Sequence, residues 1–353
     1  MPFYRNIKTG EEWGRRTIER LLELRKQLEA EVPERRLKET LLLASWNIRE
    51  FDSHKYGRRM DEAIYYMAEI VDRFDLVAVQ EVHKDLEGVK RLMEVLGGGW
   101  KYIFTDVTLG ERGNMERLAF LYDSDKVRFG GLAGELVLPD VEVGGEKKPV
   151  TQLARTPFVC GFTAGWTKFM LATVHILWGK DKADPPERVE EIKQVAQRFR
   201  EMTLDEDAWA RNLMLLGDFN IFRPENATFK EIEKAGFTVP DEIRNRPTNA
   251  MKTRHYDQIA FMTRPDSLET TGKAGAFDFY QTVYRTSDEE AYGLDMGEAY
   301  EKDEKGKPRT DAGKRTYYSN WRTHQMSDHL PLWVELKIDY SDEYLERLRG
   351  PPP

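Results

Sequence analysis

The stretch that decides the fold reads Leu213-Met214-Leu215-Leu216-Gly217-Asp218-Phe219-Asn220-Ile221-Phe222. Its apolar run, stopped by Gly217, predicts a buried strand that ends in a tight turn. Asp218 and Asn220 follow at the end of that strand, one residue apart. At such a position the two side chains can reach a shared substrate or metal from a fixed backbone, or they can cap the backbone of an Asx-type turn. The stretch by itself leaves both interpretations open.

The same pattern, an apolar strand next to a polar residue, recurs along the chain. Further strands are predicted at residues 40–47, 75–82, 101–105, 118–123, 158–163, 168–175, 256–262 and 330–336. Helical spacing of apolar residues predicts helices at 11–32, 58–74, 85–97 and 187–202, and residues 130–150 read as an irregular excursion. Strands dominate and no repeat is visible, so the sequence predicts a two-sheet core with helices on the outside.

Bulk composition limits the classes of protein. The chain of 353 residues has a formal net charge of −8, which argues against a protein that coats nucleic acid through bulk charge. Cys160 is the only cysteine, so an intrachain disulfide is excluded, in keeping with a reducing compartment. The N-terminal residues lack an apolar run of signal-peptide length, and no stretch approaches a membrane span. A cytoplasmic location is the default expectation, with secretion left open.

The polar residues at the strand ends form a set suited to phosphate chemistry. They are Asn47, Glu81, Asp218, Asn220, Asp257 and Asp328, together with His175 and His329. Oxygen donors of this kind suit Mg²⁺ or Mn²⁺, whereas structural zinc prefers thiolate and histidine. Two histidines allow a general base and a general acid, each of which needs a carboxylate to fix its tautomer. The residues therefore predict metal-assisted hydrolysis of a phosphate ester by water.

Seven short motifs in chain order make this prediction specific. They are Trp46-Asn47-Ile48-Arg49, Gln80-Glu81-Val82, Met115-Glu116-Arg117, Val174-His175, Gly217-Asp218-Phe219-Asn220, Tyr256-Asp257-Gln258-Ile259 and Ser327-Asp328-His329-Leu330-Pro331. In this order they resemble the endonuclease/exonuclease/phosphatase superfamily, and within it they most resemble deoxyribonuclease I. The resemblance runs from about Leu41 to Leu336.

The resemblance implies a fold and a role for each motif. The implied fold is an α/β (α+β) four-layer αββα sandwich, in which two mixed β-sheets are flanked by helices and the site lies at one edge. The implied metal ligands are Glu81, Asn47 and Asp328. Asp218 and Asn220 would hold the scissile phosphate and the attacking water, while Arg49 and Arg155 would touch backbone phosphates. The implied proton-transfer pairs are His329 with Asp257 and His175 with Glu116.

The resemblance also divides the chain. Residues 1–39 are expected to form a helical N-terminal extension, 40–339 the catalytic domain and 340–353 a C-terminal tail. Within the domain, 285–326 reads as an inserted basic loop in which aromatic residues alternate with Lys and Arg. Such a loop suits nucleic acid through phosphate pairing and base stacking, and it can equally be a solvated loop. Its candidate nucleic-acid residues are Lys314, Arg315, Trp321 and Arg322.

Two departures put the groove contacts of deoxyribonuclease I in question. His83 stands where that enzyme has an arginine that enters the minor groove, and Asn114-Met115 stands where it has an aromatic residue that stacks in the groove. The cysteines of its disulfides are missing, so its calcium-stabilised loops, and with them any need for Ca²⁺, are not implied. The basic part of the inserted segment, residues 305–322, is therefore a candidate replacement for those groove contacts.

Three functions compete at this point. The leading one, implied by the resemblance, is a monomeric, Mg²⁺-dependent DNA endonuclease that leaves 5′-phosphate ends, with Mn²⁺ as the other candidate metal. The second keeps the fold but acts on a phosphoinositide, sphingomyelin or another small phosphoester, although no long apolar hairpin suited to membrane insertion is visible. The third is a catalytically silent binding protein, which should have lost an acidic or histidine position. No expected position is missing.

Overall fold

Two β-sheets packed face to face form the centre of the molecule. The computed structural model describes residues 1–51, 53, 55–108, 114–143, 146–148, 152–263 and 267–349. Its strands are β1 Thr40–Phe51, β2 Leu76–His83, β3 Trp100–Phe104, β4 Glu116–Asp123, β5 Arg128–Glu135, β6 Val141–Val143, β7 Glu146–Lys148, β8 Phe158–Ala164, β9 Thr167–His175, β10 Leu213–Asp218, β11 Asp257–Met262, β12 Thr270–Ala276 and β13 Leu332–Lys337.

Helices cover the outer faces of these sheets. They are α1 Glu12–Glu31, α2 Asp61–Asp72, α3 Glu87–Leu96, α4 Pro186–Leu204, α5 Ala227–Lys234, α6 Asp241–Arg244, α7 Gly293–Met296, α8 Glu298–Glu301, α9 Asp311–Gln325 and α10 Ser341–Arg349. Short 3-10 turns lie at Phe279–Gln281, Thr286–Asp288 and Glu290–Tyr292. None of the helices in the described ranges is both long and apolar enough to cross a membrane.

Both large sheets are mixed, with one parallel pair each. The six-stranded sheet has the order β12-β13-β1-β2-β4-β3, and only β1 and β2 run parallel. The five-stranded sheet has the order β11-β10-β9-β8-β5, and only β9 and β10 run parallel. Strands β6 and β7 form a separate hairpin. The parallel pairs bring the carboxyl ends of β1, β2, β9 and β10 to one edge of the sandwich.

The apolar run of β1 shows how the layers form. Leu41 and Leu43 face the core between the two sheets, while Leu42, Ala44 and Trp46 face the core under the outer helices. Because both faces of this strand are buried, its sequence is apolar without alternation. Across the molecule, α4 covers the second sheet. The four-layer sandwich of two mixed β-sheets flanked by helices is therefore confirmed.

The N-terminal helix α1 is docked on the main body of the protein. Leu21, Leu24 and Leu28 lie in the same buried cluster as the apolar face of α2. An ion pair of 2.7 Å joins Arg16 to the buried Glu62. The boundaries at residues 39 and 339 stay predictions, although α1 shares its core with the sandwich.

The prediction of a basic loop at 285–326 is wrong for its second half, which forms helix α9. Trp321 is only 2% exposed and lies in the outer core, so its ring is not available to stack on a base. The Lys314 ammonium pairs with Glu301, and Arg322 donates to the Tyr284 carbonyl at 3.0 Å. Arg315, the fourth candidate, is exposed and pairs with none of the residues that the structure describes. The sequence was misleading because a helix that buries one aromatic face shows the same mixture of basic and aromatic residues.

The irregular excursion predicted at 130–150 is wrong at its start, where β5 forms an edge strand of the second sheet. Gly130 of this strand and Gly161 of β8 lie under the indole of Trp209, where a Cβ atom would meet the ring at 2.3 Å and 2.6 Å. These glycines therefore make room for a packed tryptophan. Glycine in a sequence is more often a turn signal, which explains the error.

Candidate active site

The predicted polar residues converge at the edge where the two sheets meet. Asp218 ends β10 and is paired in register with His175 at the end of β9 and with Asp257 at the start of antiparallel β11. In the other sheet, Glu116 begins β4 beside the end of β2. A hydrogen bond of 3.0 Å from Asn47 Nδ2 to Asp218 Oδ2 joins the two sheets across the site.

The first imidazole–carboxylate pair is His329 with Asp257. His329 Nδ1 lies 2.8 Å from Asp257 Oδ2, and both side chains are buried. Burial by itself would lower the pKa of His329, but the carboxylates of Asp257 and Asp218 raise it well above its ordinary value. The imidazole is therefore fixed by one nitrogen, and its other nitrogen is left for chemistry.

The second pair is His175 with Glu116, and it includes an arginine. His175 Nδ1 lies 2.6 Å from Glu116 Oε1, and the buried Arg155 guanidinium pairs with that same oxygen. Burial lowers the pKa of His175 and Glu116 raises it, while Arg155 lowers it, with a raised pKa as the net result. The Glu116 carboxylate thus pairs with both the His175 imidazole and the Arg155 guanidinium.

Asp218 lies between the two imidazoles. Its Oδ2 atom is 3.5 Å from His175 Nε2 and 3.7 Å from His329 Nε2. Burial would raise the pKa of this carboxyl, yet the two histidines, together with donors from Asn220 and Asn47, hold it below its ordinary range. Asp218 is therefore an ionised carboxylate toward which both reactive ring nitrogens point.

Local backbone geometry presents these groups. Gly217 has φ +134°, and a Cβ atom there would lie 2.1 Å from the Val174 carbonyl oxygen, so only glycine fits. Asn220 adopts a left-handed φ of 53°. Its backbone N–H donates to Asp218 Oδ1 at 2.8 Å, and its side-chain Nδ2 donates to the Ile176 carbonyl at 2.7 Å. The capped turn, one of the two alternatives that the sequence left open, is therefore present, and the role of Asp218 and Asn220 as site residues stays a prediction.

Glu81 lies in a bulge of β2 with a left-handed φ of 61°. Strand bulges and positive φ at non-glycine residues are typical of functional sites, where they redirect a side chain. Glu81 Oε2 accepts from the Glu50 N–H at 2.7 Å, and Oε1 accepts from Asn47 Nδ2 at 3.0 Å. Burial raises the pKa of Glu81, and the neighbouring carboxylates of Glu116 and Asp328 raise it further, whereas His175 lowers it. A cation would relieve this crowding of carboxylates.

The surroundings of Glu81 fit a hard divalent metal. Glu81 opens into a cleft of about 510 Å³ that is lined by Arg49, Glu50, Ser53, Glu81, His83, Asn114, Glu116 and Asp328. The Asp328 side chain is 48% exposed at its mouth. Asn47 Oδ1 is buried and accepts no hydrogen bond from the described residues. An unsatisfied buried oxygen beside a carboxylate suits Mg²⁺ or Mn²⁺, which prefer oxygen ligands.

The two predicted phosphate-binding arginines differ in position. Arg49 lines the cleft, and its Nε lies 3.9 Å from Asp328 Oδ2. Arg155 is buried behind Glu116, and its Nη1 donates to the His175 carbonyl at 3.4 Å. The phosphate contacts of both stay predictions, and for Arg155 the observed contacts are those of a residue that positions Glu116.

Sequence reasoning missed two residues that hold the site together. Ser327 Oγ donates to the Asn47 carbonyl at 2.6 Å and accepts from the His329 N–H at 3.0 Å, and these two bonds fix Asn47 relative to the pair of His329 and Asp257. Arg188, fully buried, donates to the Asn220 carbonyl at 2.8 Å. Ser327 stood inside a recognised motif, whereas nothing marked Arg188 within its charged helix.

Comparison with known sequences gives two deoxyribonucleases. The chain is 26% identical over 272 residues to a Deoxyribonuclease-1 of Bos taurus, which covers 72% of this chain and 89% of that protein. It is 33% identical over 187 residues to a Deoxyribonuclease of Thioalkalivibrio sp. (strain K90mix), over 51% of this chain and 46% of the relative. The chain thus matches just under half the length of this second relative. No family model matches the sequence.

Solved structures agree in fold. The endonuclease/exonuclease/phosphatase from Bacteroides vulgatus superposes with a TM-score of 0.53 at 14% identity, over 86% of this chain and 100% of that one. The chain therefore has the fold of endonuclease/exonuclease/phosphatase proteins and is similar in sequence to two deoxyribonucleases. The human Nocturnin catalytic domain with bound sulfate superposes with a TM-score of 0.51 at 14% identity, over 84% of this chain and 94% of that one. A mannosyl-6-phosphatase of Bacteroides thetaiotaomicron superposes with a TM-score of 0.50 at 19% identity, over 84% of this chain and 99% of that one. At these sequence identities, the three solved structures show a shared fold.

Proposed function

We propose that this chain is a divalent-metal-dependent phosphodiesterase that hydrolyses DNA with water and leaves 5′-phosphate ends. One observation supports this above all others: two buried imidazole–carboxylate pairs direct their free nitrogens toward Asp218, at 3.5 and 3.7 Å. Phosphodiester hydrolysis needs one group to accept a proton from water and another to donate one to the leaving oxygen. The two pairs supply both groups within one site.

Glu81, Asn47 and Asp328 would hold the metal, which we propose to be Mg²⁺, with Mn²⁺ as a substitute. When bound, such an ion polarises a phosphoryl oxygen and neutralises charge that develops on it. The oxygen-rich cleft and the unsatisfied Asn47 Oδ1 favour this assignment. Arg49, on the same cleft wall, is placed to pair with a phosphate oxygen of the strand.

Proton transfer follows from the geometry of the pairs. The oxygen of a water molecule attacks phosphorus while the bond from phosphorus to the 3′ oxygen breaks, so one imidazole accepts the proton of water and the other gives a proton to the 3′ oxygen. Asp257 and Glu116 fix the two rings through Nδ1, leaving both Nε2 atoms for the reaction. Asp218 stabilises the charged rings and orients the water. The side-chain nitrogen of Asn220 already donates to the Ile176 carbonyl. A contact between Asn220 and the phosphate therefore stays a prediction.

DNA is proposed as the substrate because both curated relatives are named deoxyribonucleases. The solved mannosyl-6-phosphatase with this fold supports a second candidate, hydrolysis of a small phosphoester. A catalytically silent binding protein is disfavoured, since every acidic and histidine position needed for the chemistry is filled.

A substrate panel under one metal condition tests the proposal. Supercoiled plasmid, single-stranded DNA, RNA and a soluble phosphoester are incubated with the protein in Mg²⁺, in Mn²⁺ and in EDTA. We expect nicking of the plasmid with either metal, 5′-phosphate at the new ends, and loss of nicking in EDTA. Hydrolysis of only the soluble phosphoester would favour the second candidate. No hydrolysis of any substrate would contradict both.

A further inference from the structure

A partly exposed tryptophan borders the candidate active site on the side of the second sheet. Trp178 follows β9 by three residues and is 36% exposed, although it is a large apolar side chain. Large exposed aromatic side chains next to a site are typical of ligand contacts, because their burial against a flat partner removes much apolar area from water.

Ring contacts connect Trp178 to a catalytic histidine. The Tyr256 ring lies 5.4 Å from the His329 ring, centroid to centroid, at an interplanar angle of 34°. Trp178 in turn lies 5.5 Å from Tyr256 in an edge-on contact and 5.6 Å from Phe222. We call Trp178, Phe222 and Tyr256 the aromatic platform. It is contributed by the loops next to β9, β10 and β11, whereas Glu81 and Asn47 belong to the first sheet.

A buried arginine holds the platform in place. Arg188 donates to the carbonyls of Leu177 and Lys182 at 3.1 Å each and to that of Trp178, and its guanidinium carbon lies 5.0 Å from the Trp178 ring centroid. The same arginine donates to the Asn220 carbonyl, so the loop that bears Trp178 and the turn that bears Asp218 share one anchor. An exposed ring on an anchored loop is pre-organised for binding, since little side-chain freedom is lost on contact.

Several basic side chains lie next to the platform. Arg254 lies 4.0 Å above the Phe222 ring, and Lys180 and Arg223 are exposed on the loops that bear the platform. Asp181 and Asp184 are exposed acids in the same loop as Trp178, and Glu225 lies 3.9 Å from Arg223. An aromatic surface with basic neighbours suits a strand whose bases stack and whose phosphates pair with cations.

We infer that Trp178 stacks on an unpaired nucleobase of a nucleotide next to the scissile phosphate. This inference rests on the proposed function and deepens it, because it names a strand with accessible bases as the substrate class. The metal side of the site then holds the phosphate, and the platform on the other sheet holds the base. A sugar ring can also pack on tryptophan. The abasic strand in the experiment below keeps a sugar ring at each position but has no bases, so it distinguishes sugar packing from base stacking.

The test measures binding without catalysis. The probes are a short fluorescent single-stranded oligodeoxynucleotide and a strand of the same length made of abasic tetrahydrofuran nucleotides, both titrated by anisotropy in EDTA. The proteins are wild type, Trp178→Ala, Trp178→Phe and the control Trp166→Ala. Trp166 is another exposed tryptophan, 60% exposed, and it precedes the opposite end of β9 from His175. Thermal unfolding checks that each variant is folded.

We expect wild type and Trp166→Ala to bind the base-bearing strand about tenfold or more tighter than the abasic strand, as a stacked base implies. Trp178→Ala should bind both strands alike, and Trp178→Phe should keep part of the preference. Equal affinity of the wild type for the two strands, no measurable binding of the base-bearing strand, or an undiminished preference in Trp178→Ala would each overturn the inference. Metal-dependent plasmid nicking, measured separately, would still support the proposed function in those cases.

Discussion

The two imidazole–carboxylate pairs look alike in sequence and differ in structure. Asp257 pairs with His329 and is almost completely buried. Glu116 pairs with His175 but also with Arg155, whose guanidinium contacts the same carboxylate oxygen. Among the described contacts, Asp257 pairs with His329 and with no arginine. The charge of Glu116, which pairs with His175, is already partly neutralised by Arg155.

This difference sets the proton affinity of each ring. The pKa of His329 is raised well above its ordinary value by Asp257 and Asp218 against the effect of burial. For His175, burial and the Arg155 guanidinium lower the pKa, Glu116 raises it, and the net result is a raised pKa. Neighbouring titratable groups with different proton affinities are the arrangement in which one donates while the other accepts.

The largest expected effect comes from removing either ring. His329→Ala and His175→Ala should each lower the rate of phosphodiester hydrolysis by about 10²–10⁴-fold, the usual contribution of acid–base catalysis. Each is measured under saturating Mg²⁺, with circular dichroism as the check on folding. A folded variant with near wild-type rate would show that its histidine transfers no proton in the reaction.

The next largest effect is on the free energy of unfolding, which should differ between variants of the two carboxylates. Glu116→Gln leaves the buried Arg155 without its counter-charge, so the free energy of unfolding should fall by about 3–5 kcal/mol. Asp257→Asn leaves only the His329 imidazole without its carboxylate, and this ring can lose its proton and become neutral. The free energy of unfolding should therefore fall by less, about 1–2 kcal/mol. Urea unfolding in metal-free buffer measures both values.

A compensating variant sharpens this contrast. In Glu116→Gln combined with Arg155→Met, the uncompensated charge is gone, and most of the lost stability should return. If the double variant is no more stable than Glu116→Gln alone, Arg155 does not depend on Glu116 in the way described.

The smallest effect is on the pH dependence of stability. A histidine whose pKa is raised in the folded protein contributes stability that is complete below its unfolded pKa of about 6.5 and is lost as pH rises through the folded value. Wild type should therefore lose stability relative to His329→Gln above about pH 6.5, by at most about 1.4 kcal/mol per pH unit for one proton. The same comparison with His175→Gln should show a loss of wild-type stability in the same direction, because the pKa of His175 is also raised. A difference between wild type and His329→Gln that does not vary with pH would contradict the raised pKa.

The sequence predicted the sandwich and the polar residues of the site for one physical reason. Buried strands such as β1 and β10 are apolar on both faces, so the polar residues Asn47 and Asp218 stand out after their apolar runs. Parallel pairing places Asn47 of β1 next to β2 and Asp218 of β10 next to His175 of β9. The convergence of the two sheets at one edge was implied by the family resemblance.

Other features depended on tertiary contacts that leave no periodic signal. The aromatic residues of α9 are core residues, which only the packing of Trp321 and Tyr318 reveals. The pairing of Arg155 with Glu116 joins residues from a loop and a distant strand. The position of Trp178 beside Tyr256 likewise depends on how three loops meet. Such contacts follow from the fold and not from local sequence.

The most direct test of the central claim is the initial rate of plasmid nicking by wild type in Mg²⁺, by wild type in EDTA, and by His329→Ala in Mg²⁺. We predict nicking in the first reaction, none in the second, and a rate at least about 10²-fold lower in the third. Absence of nicking by the folded wild-type protein in Mg²⁺ and Mn²⁺, or equal rates for wild type and His329→Ala, would contradict the claim.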